Sequence, residues 1–329
     1  MDNKNIDRRS FLRAMAGTGV LVAASSLPAV AATEEKQQER FPRRGKYERL
    51  SLSYATVKIG LEKPFSVLHI SDTHLAEAYP SEKESKQILH ERRCNTFGGH
   101  QEEALRDTLA WARDNVDYVL HTGDLIDWQS EANFDLVRKY FGEAAMTGCM
   151  GNHEFSPDMW LSDPAESGDE AFKAPSRDAL GKAYPFDIEL TSQIVGGVNF
   201  VCLDDVYGYV TENQVRRFRE EAGKGLPIVL CMHVPFFTPD IWMASHRFWK
   251  CSGSRFTDST IPEPYGAFKV QKEDKVTRDF ISYLKKEKLL KAILAGHEHF
   301  TMQDRFSKTA TEYLIGGNFL LNAREVLFV

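Results

Sequence analysis

Five short apolar runs in this chain each end at a residue able to bind a metal. Val67 to Ser71 leads into Asp72 and His74, and Tyr118 to Gly123 leads into Asp124. Cys149 to Gly151 precedes Asn152 and His153, and Ile228 to Met232 stops at His233. Ala292 to Gly296 stops at His297, with His299 two residues further on. Runs of this kind read as buried strands, and in an open α/β sheet ligands bind beyond the carboxyl ends of the strands. Strands so arranged would bring two Asp, one Asn and five His to one rim, donors enough for two metal ions.

The remaining sequence narrows the possibilities. A chain of 329 residues, 42% hydrophobic and 27% charged, can bury one substantial core as a single large domain. No apolar run reaches the roughly 18 to 20 residues of a membrane span. A formal charge of −6 argues against a stable nucleic-acid complex, yet permits a phosphate-bearing substrate if cations supply the local positive charge. Near the N-terminus, Arg8 and Arg9 precede Phe11 and Leu12, followed by an apolar stretch from Ala14 to Ala24 and a small-residue cleavage pattern at Ala29 to Ala32. This resembles a twin-arginine export signal, although Asp7 stands where Ser or Thr is usual, and a Sec signal fits as well. The expectation is a signal peptide over 1–31, export machinery as partner of the precursor, and a periplasmic or extracellular mature protein. Cleavage after Ala31 would remove four basic and two acidic side chains, taking the charge from −6 to −8; cleavage after Ala32 gives the same charge. The five cysteines, an odd number in a large chain, do not read as a disulfide framework. Cys202 and Cys231 read as core residues, and Cys94 and Cys251 are free to pair after export.

Residues 32–45 read as a polar linker and 46–329 as one domain. Helical spacing of apolar residues predicts helices over 101–114, 133–141, 212–223 and 275–286. Strands are expected at 65–71, 117–122, 199–203, 227–232 and 291–295, with more toward Val329. This alternation indicates α/β architecture. Two stretches break it, 77–99 and 235–274, and long irregular segments near strand ends often shape a binding site. The second holds Trp242, His246, Arg247, Phe248, Trp249, Arg255 and Tyr265.

Taken singly, D-x-H, G-D, G-N-H-E, H and G-H-x-H are weak patterns. In this order after apolar strands they are specific, and from Val67 to His299 the chain resembles the calcineurin-like metallophosphoesterases. The resemblance implies a four-layer αββα sandwich with a dinuclear metal site at the C-terminal ends of the strands. It implies that Asp72, His74 and His299 hold one metal, that Asn152, His233 and His297 hold the other, and that Asp124 bridges them. A hydroxide between the two metals would attack phosphorus, and His153 would bind the phosphate and protonate the leaving alkoxide. Asp127 and Asp204 would orient metal-bound histidines. Mixed imidazole, carboxylate and amide donors suit Mn, Fe or Zn. Purple acid phosphatases carry a tyrosine ligand soon after the bridging aspartate; here Leu125, Ile126 and Asp127 fill that stretch.

Outside the motifs, Arg93, His246, Arg247 and Trp242 are candidate substrate contacts, since guanidinium groups match phosphate oxygens in pairs. Arg92 reads as a solvated basic residue or a second phosphate clamp. His69 and His121 lie within strands and read as packed core residues, His90 and His100 as surface residues. The resemblance implies hydrolysis of a phosphomonoester or phosphodiester, with a protein phosphatase as a narrower version. The alternative is a metal-binding scaffold or partner-binding module on the same fold.

Overall fold

Phe65–Ile70 is buried at every position, as a strand covered on both faces must be. It is the second strand of the computed structural model, which describes residues 49–158, 169–249 and 274–329. In chain order the strands are β1 (Ser51–Val57), β2 (Phe65–Ile70), β3 (Tyr118–Thr122), β4 (Met146–Cys149), β5 (Leu190–Val195) and β6 (Val198–Leu203). They continue as β7 (Ile228–Cys231), β8 (Leu290–Ala295), β9 (Met302–Arg305), β10 (Thr311–Leu314) and β11 (Asn322–Phe328). The helices are α1 (Glu84–Phe97), α2 (Gln101–Asn115), α3 (Glu131–Glu143), α4 (Glu170–Lys173), α5 (Arg177–Ala183), α6 (Glu212–Ala222), α7 (Pro239–Phe248) and α8 (Lys275–Leu284).

The strands form two sheets, one in the order β1-β11-β2-β3-β4 and the other β5-β6-β7-β8-β10-β9. β2, β3 and β4 are parallel neighbours in the first sheet, as are β6, β7 and β8 in the second. Their carboxyl ends are the motif-bearing ends. Between the sheets lies a core of Val67, Leu120, Phe200, Val229, Leu294 and Phe328. On the far side of the second sheet, Val201, Leu230 and Ile293 pack with Phe218 of α6 and Phe280 of α8. Local signals start the helices where expected. Thr211 and Gln214 form a reciprocal capping box on α6, and the side chains of Ser130 and Asp274 cap α3 and α8.

The sequence expectation of irregular structure at 77–99 and 235–274 is corrected by α1 and α7. α1 escapes the apolar-periodicity test because only Leu89 on it is buried. Its inward face is polar: Lys86, His90 and Arg93 bond to Gln129, Ala76 and Asp127. The expected signal peptide, the linker, Cys251, Arg255 and Tyr265 lie outside the described residues. Among the described residues no helix is long and apolar enough to cross a membrane.

Three rings join the sheets. Phe328 stacks on Phe65 at 5.1 Å and meets Phe200 of the opposite sheet edge-on at 5.4 Å. Phe328→Ala should cost about 3 to 5 kcal/mol of stability. In urea unfolding the midpoint should fall with the slope unchanged.

Candidate metal centre

The chain turns sharply as it leaves β2, β3 and β8. Asp72, His74, Asp124, His297 and His299 all have φ between 53° and 68°, the left-handed region, which costs a residue with a side chain roughly 1 to 2 kcal/mol. Strain of this kind persists only where surrounding bonds over-determine it. Beyond β2 and β3 the two exit loops continue to pair, with Asp72, His74 and Leu75 N–H donating to the carbonyls of Gly123, Asp124 and Leu125 at 2.8 to 3.0 Å. His297 N–H donates to Asp72 Oδ2 at 3.0 Å. Buried Glu154 completes the frame, accepting from the N–H groups of Asp124, Leu125, Ile126 and Gly151 and from the Tyr184 hydroxyl at 2.7 to 3.2 Å. Gly151 must lack a side chain, because a Cβ there would overlap Asp124 Oδ1.

This frame brings together all seven residues expected as ligands. His74 Nε2 lies 3.1 Å from His299 Nε2, which is 3.3 Å from Asp72 Oδ1. His233 Nε2 is 3.2 Å from each of Asp124 Oδ2, Asn152 Oδ1 and His297 Nδ1. Asp124 Oδ2 also stands 3.8 Å from His74 Nε2, between the two groups. Donors about 2.1 Å from a shared ion sit roughly 3 to 3.5 Å apart, so the spacing suits cations. Tautomers agree with this. His74 Nδ1 donates to Asp127 Oδ1 at 2.8 Å and His233 Nδ1 to the Thr122 carbonyl at 2.8 Å, which turns both Nε2 atoms inward, where a bound cation would take the place of any proton on them.

The charge balance points the same way. Burial opposes ionisation of Asp72, Asp124 and Asp127, yet the imidazoles around them hold all three well below the usual carboxylate range. All three are thus held in the ionised form that ligates or orients a cation's ligands. Burial likewise opposes charging of His153 and His233, but the adjacent carboxylates outweigh it and lift them to about 9 and about 10.

Asp127 is the organising carboxylate at this edge. Besides His74, its Oδ1 lies 2.8 Å from His153 Nδ1, and Arg93 approaches it through Nε at 2.5 Å and Nη2 at 2.9 Å. Arg93, a candidate phosphate contact from the sequence, is thus a partner of Asp127, with two of its three guanidinium nitrogens on that carboxylate. Asp204 is also corrected. It pairs with buried Lys173 at 2.6 Å and does not orient a ligand histidine; its neighbour Asp205 accepts from the N–H groups of His233 and Val234 at 3.0 and 3.2 Å. Trp242 and His246 stack on each other at 5.4 Å along α7, and Arg247 is exposed. The segment reaches the site through other residues: Ser245 Oγ and Trp249 Nε1 donate to Glu298, between His297 and His299, at 2.6 and 2.9 Å. The Trp249 ring lies 5.6 Å from that of His299, and Phe97 stacks on His74 at 4.4 Å. His69 and His121 are buried on the hydroxyls of Thr122 and Thr73. Arg92 and His100 are exposed, whereas His90 is half-buried against the Ala76 carbonyl. Glu154 and Glu298 were legible as the fourth residue of G-N-H-E and the middle of G-H-E-H; nothing local singled out Phe97.

Asp127→Asn should weaken cation binding by about 10- to 100-fold, read as metal retained after dialysis against a graded chelator. Glu154→Gln places an amide N–H against backbone N–H groups; a stability loss of about 2 kcal/mol or more is expected in chemical unfolding.

The calcineurin-like phosphoesterase family model matches residues 65–300. No curated protein sequence matches the chain. Similar solved structures include a dimetal phosphatase from Danio rerio, at 14% identity over 78% of this chain and 88% of that one, with a TM-score of 0.40. PhoD is 12% identical over 79% of this chain and 57% of its own, with a TM-score of 0.44. The phosphopantetheinyl hydrolase of Mycobacterium tuberculosis is 11% identical over 78% of this chain and 90% of its own, with a TM-score of 0.39. With the motif order, the two sheets and the convergent donors on one rim, the match over residues 65–300 makes this chain a member of the calcineurin-like phosphoesterase family.

Proposed function

We propose that this chain is an exported hydrolase that cleaves a phosphomonoester or phosphodiester with two cations held at the strand ends. Asp72, His74 and His299 would hold one, Asn152, His233 and His297 the other, with Asp124 between them. The observation that carries the reading is the inward convergence of imidazole, amide and carboxylate donors at 3.1 to 3.3 Å, with His153 beside them. Cations so held supply Lewis acidity, lowering the pKa of water and offsetting charge on phosphoryl oxygens.

The chain's own groups do the rest. Asp127 fixes His153 through Nδ1, so Nε2 is the nitrogen left to act, 3.9 Å from Asp124 Oδ2. A protonated His153 Nε2 donates to a phosphoryl oxygen of bound substrate and then gives its proton to the departing alkoxide. The same hydrogen bond orients the ester for in-line displacement. Phe97 and Trp249, against His74 and His299, restrict water on the flanks of the site. Direct attack of water on phosphorus needs no covalent enzyme intermediate.

Hydrolysis of p-nitrophenyl phosphate and of bis-p-nitrophenyl phosphate, with Mn, Fe and Zn supplied separately, tests the reading. His153→Asn should lower kcat by about 10²- to 10⁴-fold with metal content unchanged. Asp124→Asn should lose both metal and activity. A metal-loaded wild-type protein that turned over neither ester, and bound a partner equally well as His153→Asn, would instead be a scaffold.

A further inference from the structure

We propose that Glu77, His90 and Cys94, with the Ala76 carbonyl, form a separate site for a borderline divalent cation such as zinc, joining α1 to the loop after His74. None of these four groups belongs to the seven candidate ligands at the strand ends. His90 and Cys94 are four residues apart on one face of α1. His90 Nδ1 lies 2.7 Å from Ala76 O, 3.5 Å from Glu77 Oε2 and 3.6 Å from Cys94 Sγ. Cys94 Sγ in turn is 3.4 Å from Ala76 O. The Glu77, His90 and Cys94 donor atoms all lie within 4.8 Å of one another. Tetrahedral zinc, with bonds of about 2.3 Å to sulfur and about 2.0 to 2.2 Å to nitrogen and oxygen, places neighbouring donors roughly 3.2 to 3.6 Å apart, as the contacts of Cys94 with Ala76 and His90 and of His90 with Glu77 are; the shorter His90–Ala76 hydrogen bond would open on loading as the ion replaced its proton. One thiolate, one imidazole and two oxygens is a donor set that selects zinc over magnesium or calcium.

The surroundings favour a cation and give it access. His90 and Glu77 side chains are 38% and 42% exposed, so the site opens to solution. Burial, then the Glu77 and Asp127 carboxylates, raise the Cys94 thiol to about 11; the same carboxylates attract a cation, which must displace that firmly held proton, so loading should weaken as pH falls. α1 also carries Arg93 on Asp127 and Phe97 on His74. An ion at this point would therefore fix the helix that bears on both.

The test uses the full chain stripped of metal and titrated with cobalt(II). Nitrogen and oxygen donors at the strand ends give no sulfur-to-cobalt charge-transfer band, so such a band reports a cysteine ligand. It should appear in the wild type, disappear when zinc is added, and be absent in Cys94→Ser. In His90→Ala it should need at least about tenfold more cobalt. Independently of any variant, zinc should slow alkylation of Cys94, located by peptide mass spectrometry, at least about tenfold. Absence of the band with alkylation indifferent to zinc would overturn the proposal, leaving His90 and Cys94 as hydrogen-bond donors to the Ala76 carbonyl. Persistence of the band in Cys94→Ser, or recovery of Cys94 in a disulfide with Cys251, would overturn it as well.

Discussion

The Glu154 carboxylate holds the geometry on which the site depends. Where β3 and β4 end, backbone N–H groups leave the sheet ladder and need other acceptors. Glu154 supplies them to four such groups on two loops, and Tyr184 occupies the same carboxylate from the side. Hydrogen bonds to a charged group contribute roughly 1.5 to 3 kcal/mol each, enough to offset the left-handed backbone that aims Asp124 inward. Gly151 serves the same geometry by leaving its side-chain space to Asp124.

A second carboxylate couples the site to its surroundings. Asp127 fixes His74 and His153 together and is itself held by Arg93 of α1. On the opposite flank, Glu298 accepts from Ser245 of α7 and from Trp249. The long stretches after the first motif and after His233 are thus hydrogen-bonded to acids that lie beside or directly behind the candidate ligands. A shift of either helix would be felt as a change of ligand orientation, not merely of pocket shape.

What was readable in the chain followed from local chemistry. Strands such as β2 and β7 are buried on both faces, so they stand out as short apolar runs. α2 and α8 show apolar residues at helical spacing because one face of each packs on the domain. α1 gives no such signal, since its inward face is built from Lys86, His90 and Arg93, each with its own polar partner. The tie of Arg93 to Asp127 was hidden for the same reason: an ion pair between residues 34 apart leaves no local trace. Asp204 and Asp205 are adjacent and chemically alike, and only the approach of Lys173 to one and of the His233 backbone to the other separates them.

The sequence alone determined the inventory: which side chains are able to bind cations, their order, and the apolar strands that end at them. Those properties are local, because donor chemistry belongs to individual residues and strand burial to short runs. Tertiary structure decided which lone pairs share a point, which carboxylate orients which histidine, and which polar residues are occupied with one another. These depend on pairs as distant as Ser245 with Glu298 and His74 with His299. Buried polar contacts carry no periodic signature along a chain, so only the folded arrangement assigns them.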